Sequence, residues 1–166
     1  SGSSGPAAVH AIASQRPAPG APPLGLKIRC GGADASAFPG ADAVSAAIVA
    51  CCDAAIPLKA TQGLHQALFH HDPELGVDAH GFLCIAVAAV MAHSHCLPPE
   101  EVERIVRERD PAAFELHESG LVWHHLCAGL DAVIAARQSL FVAFGSCSVA
   151  EPRDALRRFG VGAVHA

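Results

Sequence analysis

Only two lysines occur in this chain, and they fall in matching segments, Leu26-Lys27-Ile28-Arg29-Cys30-Gly31-Gly32 and Leu58-Lys59-Ala60-Thr61-Gln62-Gly63. Each segment reads as a short strand closed by glycine. Period-two alternation sends Lys27 and Arg29 to one face, and Lys59 and Thr61 to the equivalent face of the second strand. Cations within apolar strands are costly to bury unless something there uses the charge. Binding of a phosphate or carboxylate by Lys27, Arg29 and Thr61 is one such use. The competing reading is structural, with the lysines paired to Asp34, Asp53 or Glu151. Lys59, if desolvated beside Lys27, would be a candidate base or Schiff-base amine.

Further groups cluster after the strands. His65 follows the second lysine segment closely and joins Lys59 as an acid/base candidate. A third strand, Leu140–Phe144, runs into Gly145-Ser146-Cys147-Ser148, and Ser148-Val149-Ala150-Glu151 matches a capping box with Pro152 in the first turn of the helix. Ser146, Ser148 and the exposed N–H groups of that helix would suit an anion. Cys147, in the same loop, is a candidate nucleophile that His65 or Ser146 would assist. No fixed spacing ties a base to it.

Two like-spaced pairs, His93-x-x-Cys96 and His124-x-x-Cys127, would each share a helix face and together supply a tetrahedral Cys₂His₂ zinc set. Histidine near a helix end also complements the dipole, and buried cysteine is usually a small hydrophobe. The short CxxC signature is missing. No cofactor is therefore expected, with zinc the lesser alternative.

The elements that must position these groups alternate. Ser1–Gly5 reads as an appended linker, and residues 6–25 as a proline-rich segment, with a short helix or strand over Pro6–Ser14 and a linker over Gln15–Gly25. Residues 26–161 form the expected domain. Strand Leu26–Cys30 leads to an alanine-rich helix over Ala41–Ala55, and strand Leu58–Thr61 to a long histidine-bearing loop over Leu64–Ala79. Gly81–His95 is an apolar helix and Glu100–Arg109 a charged one with acids in its first turn. Asp110-Pro111 is an N-cap signal that predicts an interrupted helix to Ala136. Strand, loop and helix recur three times, which is the pattern of an α/β chain with a parallel sheet. Three strands are too few for a closed eight-stranded barrel.

Composition narrows the function. The 166 residues are 51% hydrophobic and 16% charged, with a net charge of −5 and no basic run, so nucleic acid is not an expected partner. The apolar stretches at Ala43–Ile56 and Gly81–Ala92 are shorter than the ~20 residues that cross a bilayer, and no signal peptide is recognised, so no membrane association is expected. Seven cysteines without regular spacing argue for a reducing cytoplasm rather than a disulfide framework.

Lys27-Ile28-Arg29-Cys30-Gly31-Gly32, Leu58-Lys59-Ala60-Thr61-Gln62-Gly63-Leu64-His65 and Phe144-Gly145-Ser146-Cys147-Ser148 together resemble the C-terminal half of a family of bacterial proteins of uncertain function. His80-Gly81-Phe82-Leu83 and Glu151-Pro152 fit the same pattern. The resemblance spans about Gly25 to Val161 and implies about half of a TIM-like (β/α)-barrel. The chain departs from the family at Cys30, where threonine is usual, at Gln66-Ala67, where His-Pro is usual, and at Cys84, where asparagine is usual.

Two functions follow as expectations. One is a barrel-type enzyme, or part of one, binding a small anionic metabolite at the strand C-terminal ends through Lys27, Arg29, Thr61, Ser146 and Ser148, with Lys59 and His65 for acid/base chemistry. The other is a non-catalytic half-barrel that self-associates to hide its sheet edges and apolar surface.

Overall fold

A computed structural model describes residues 4–15 and 20–158 of the chain. In order these form α1 (Ser4–Ala13), β1 (Leu26–Arg29), α2 (Ala41–Asp53), β2 (Leu58–Thr61), β3 (His70–Asp72), β4 (Val77–Ala79) and α3 (Phe82–His95). There follow α4 (Pro99–Val106), β5 (Phe114–His117), β6 (Gly120–Trp123), β7 (Leu126–Gly129), α5 (Leu130–Ser139), β8 (Phe141–Gly145) and α6 (Ala150–Arg158). Residues Ser1–Ser3, Arg16–Pro19 and Phe159–Val161, which the sequence assigns to the leading linker, the proline-rich segment and the end of the domain, lie outside the described residues.

The fold is mixed α/β around a three-stranded parallel sheet, ordered β1-β2-β8. Alternation decides its two faces. Leu58 and Ala60 are fully buried, whereas Lys27, Arg29 and Lys59 are exposed. Behind the sheet lies α3, apolar on nearly every side, as a helix enclosed by protein must be. It packs against α2, α4, α5 and β8. In α4, Val102, Ile105 and Val106 recur at helical spacing and are buried, while Glu101 and Glu103 pair outward with Arg104 and Arg107. Ala35–Asp53 has the length and composition to cross a bilayer, but its helix α2 is 13 residues long and buries Val44, Ala47, Ile48 and Cys51 in the core.

Three expectations are corrected. Helix α1 starts at Ser4, so the last residues of the supposed linker belong to the fold. Within the histidine-bearing loop, His70–Asp72 and Val77–Ala79 pair as an antiparallel hairpin. Its turn is fixed by Asp72 Oδ1, which accepts from the N–H groups of Glu74 and Leu75, and by Gly76 at φ 64°. The helix expected over 110–136 is replaced by an antiparallel meander, β5-β6-β7. Asp110 does cap, accepting from Ala112 N–H at 2.9 Å, but it caps one 3₁₀ turn only. Beyond it the apolar residues recur every second position, Phe114 and Leu116, Leu121 and Trp123, Leu126 and Ala128, and that period selects strands.

Glu108 fastens the meander to α4. Its carboxylate accepts from the N–H groups of Arg109 and Asp110, from Trp123 Nε1 and from His124 Nε2. Burial alone would push the Glu108 carboxyl up, but these donors outweigh it and hold it below the usual range.

Candidate functional site

The three parallel strands end together, and the first two end in turns that only small or strained backbone allows. After β1 the chain passes Gly31, where a Cβ would stand 2.7 Å from the Cα of Gly63. After β2 it passes Gln62 and Gly63, both left-handed at φ 64° and 68°. Two consecutive left-handed residues reverse the chain at once, and the glycine-to-glycine approach brings the turns after β1 and β2 into van der Waals contact. A left-handed glutamine is uncommon and costs conformational energy, a feature that clusters at functional sites.

Above these turns lies a cavity of about 700 Å³, walled by the turn after β1, the Gln62–Gln66 segment, the β3–β4 hairpin and the loop before α6. At its edge His65 Nδ1 is hydrogen-bonded to the Glu151 carboxylate. Ser146 Oγ stands 3.5 Å from the same nitrogen. In the neutral ring, donation of Nδ1–H to Glu151 would leave the Nε2 lone pair free. The arrangement is a carboxylate-oriented imidazole base. It is not a serine-histidine-acid relay, because serine and acid meet the same ring nitrogen.

The residues singled out by sequence separate into two groups. His65 and Ser146 belong to the cavity edge, together with Cys147. Ser148 caps α6, its Oγ accepting from Glu151 N–H at 3.3 Å, while Ser148 N–H is directed to Ser146 Oγ at 3.4 Å. Both hydroxyls thus already hold backbone N–H groups at the helix terminus that the sequence offered as an anion seat. Lys27, Arg29, Lys59 and Thr61 lie below, on the sheet's other face. Lys27 stands cross-strand from Lys59, and Arg29 from Thr61. The lysines are exposed, not buried staples, and no carboxylate among the described residues pairs with Lys27, Arg29 or Lys59. Asp34, Asp53 and Glu151 therefore do not neutralise them. Lys59 does not line the cavity that His65 borders, and its exposure removes the desolvation a Schiff-base lysine needs.

No protein-family model, curated protein or solved structure matches the chain. The reading of the site therefore rests on its chemistry.

The proposed zinc pairs come apart. His124 occupies the β6–β7 turn at φ 50° and Cys127 lies on β7, so they do not share a helix face. His124 is bonded to Glu108, and His93 Nε2 lies 3.3 Å from Ser139 Oγ. Cys96, left-handed, ends α3. Among the described residues no three His, Cys, Asp or Glu side chains stand together as metal ligands. Nor is any cysteine in a disulfide. Cys30 and Cys84 are fully buried, and burial pushes both thiols up to about 12, which makes them core residues and not nucleophiles.

Sequence reasoning passed over Gln62, Glu74 and the role of Glu151, which the capping box disguised as a purely local residue. His80, which entered the sequence reading only within the resembled motif, is 1% exposed; its Nε2 donates to Pro39 O at 2.7 Å while Nδ1 has no partner among the described residues. Burial, and then Arg107 and His70, lower its pKa against the opposing pull of the Pro39 hydrogen bond and Asp78. The folded state therefore binds this proton less readily than the unfolded chain. The stability that neutral His80 contributes is complete above about pH 6.5, the ordinary histidine value, and is lost as pH falls through the lower folded value. The difference in Tm between pH 7.5 and pH 5.5 should be smaller in His80→Gln than in the wild type. An equal difference in both would remove His80 as the cause.

Proposed function

We propose that this chain is a barrel-type enzyme, or the half-barrel part of one, that binds a small anionic metabolite at the strand C-terminal ends and moves a proton through His65. One observation carries the reading. Lys27 and Lys59 face each other across neighbouring strands, with Arg29 two residues on, and none has a carboxylate partner among the described residues. Strands lie ~4.8 Å apart, and like charges directly opposite destabilise a sheet. A bound phosphate or carboxylate removes that repulsion, so the arrangement makes sense as a ligand site and not as a device for stability. Thr61 sits beside Arg29, and Gly145 leaves its hydroxyl accessible, since a Cβ there would approach Thr61 Oγ1 to 3.3 Å.

The anion would lie against Arg29, Thr61 and the lysines, with its reacting end reaching past the strand ends to His65. Glu151 holds the imidazole so that Nε2 accepts a proton, and Ser146 borders the same ring. Calorimetric titration with inorganic phosphate tests the anion seat. Saturable, salt-sensitive binding is expected, weakened at least about tenfold in Arg29→Ala/Lys59→Ala. Absence of saturable binding, or equal affinity in the double variant, contradicts the reading.

A second reading, self-association of a half-barrel, draws on the free edge of β8. Val142 and Phe144 on this strand are 44% and 42% exposed, and they line an apolar groove of about 420 Å³ with Leu116 and Val133. An uncovered edge with exposed apolar side chains is prone to pair. Sedimentation at micromolar concentration decides it: a dimer or higher species supports this reading and a monomer rejects it.

A further inference from the structure

The register of the parallel sheet fixes the layout of its open face, and that layout bears on how many charges the ligand carries. Six positions form two rows across β1, β2 and β8. Lys27, Lys59 and Ala143 stand side by side in the first row, and Arg29, Thr61 and Gly145 in the second. The residues between them turn the other way: Leu58 and Ala60 are fully buried, and Phe144 stacks on Phe82 of α3.

Each row carries its own donors. The first offers two ammonium groups, and the second a guanidinium and a hydroxyl. Both rows end at a residue with little or no side chain, so the floor beside the cations is low at Ala143 and Gly145. Neighbouring strands lie ~4.8 Å apart, so one anionic group placed between Lys27 and Lys59 reaches both. Two residues along a strand advance ~6.6 Å, which makes Arg29 and Thr61 a second seat. All three cations are exposed and lack a carboxylate partner among the described residues. An anion at the second row alone leaves the two lysines opposed, and an anion at the first leaves the planar fork of Arg29 unmatched. Two anionic groups, one to each row, answer both.

The geometry points to a doubly anionic ligand, a short dicarboxylate or bisphosphate whose charged groups stand about 6.6 Å apart along the strands. One group rests between Lys27 and Lys59, the other on Arg29 and Thr61, and the connecting chain lies over the low floor at Ala143 and Gly145. This rests on the anion seat proposed above and adds its second charge. It asks nothing of the His65 cavity.

The test is calorimetry on the intact chain at low salt with matched probes: hexanoate against adipate, ethyl phosphate against ethylene glycol bisphosphate, and inorganic phosphate alone. In at least one pair the doubly anionic member is expected to bind about tenfold more tightly or better, and the pair with the larger gain tells carboxylate from phosphate. Succinate, whose carboxylates stand too close to reach both rows, should gain little over hexanoate. Arg29→Ala should abolish the gain while the singly charged probes still bind at the lysines. If neither pair shows a gain and inorganic phosphate binds, the two-seat inference fails while the anion seat stands. If no probe binds, the anion reading falls and takes this inference with it. Succinate equal to adipate, or a gain that Arg29→Ala leaves intact, overturns the assignment of the second row.

Discussion

His65→Ala is expected to fold normally and to lose about 10²–10⁴-fold in the proton-transfer turnover assigned to the site, the usual contribution of a positioned general base. The side chain is partly exposed and makes its contacts with Glu151 and Ser146 at the edge of a cavity, so its removal leaves no hole in the core. Glu151→Gln should fall between His65→Ala and the wild type. The amide can still face the imidazole, but it no longer demands that Nδ1 carry the proton, and the fraction of rings with Nε2 free declines. Hydrogen–deuterium exchange at carbon in a small phosphorylated metabolite reads both effects. Wild-type rates in His65→Ala would reduce the histidine to a bystander.

Gly81→Ala is expected to damage the fold most. Gly81 precedes α3 with an ordinary φ of −89°, so its need for glycine is one of space. An added Cβ would run into the backbone of Ala67 and Leu68. That segment caps α3: the N–H groups of Phe82 and Leu83 donate to the carbonyls of Gln66 and Ala67, each at 3.0 Å. Displacing it would uncap a helix buried along nearly its whole length and move Phe82, which stacks on Phe144 of β8. The expected loss is on the order of 3–5 kcal/mol, a large part of the ~5–15 kcal/mol that holds a typical domain. Thermal melts should show a fall of roughly 10 °C or more. Gly76→Ala is the contrast, at a left-handed but open turn with nothing within 4 Å, and should cost only about 1 kcal/mol. Similar melting points for the two would show that the close approach at Gly81 is not what limits substitution.

The parallel strands and the helices after them were legible because local signals agreed: alternation in Leu26–Arg29 and Leu58–Thr61, glycine at their ends, and a nearly unbroken apolar run in α3. The meander was hidden behind a genuine cap. Asp110-Pro111 opens a helix in most settings, and only the period-two spacing from Phe114 to Ala128 tells that the turn does not continue. The lysines were legible as a pair, but their exposure was not, because a strand pattern gives alternate faces without saying which is covered. Gln66, one departure from the resembled family, borders the cavity, whereas Cys30 and Cys84 lie in the core. The His65–Glu151 contact joins residues 86 positions apart, and no local pattern encodes it.

The most direct test of the site is the ring-nitrogen NMR spectrum of His65, recorded as inorganic phosphate is added. The free protein should show the proton on Nδ1 and a bare Nε2, and the Nε2 resonance should shift in a saturable way as the anion binds. In Arg29→Ala/Lys59→Ala that shift should require far more ligand. A proton on Nε2 in the free protein, or an Nε2 resonance that ligand leaves unmoved, would contradict the proposed site.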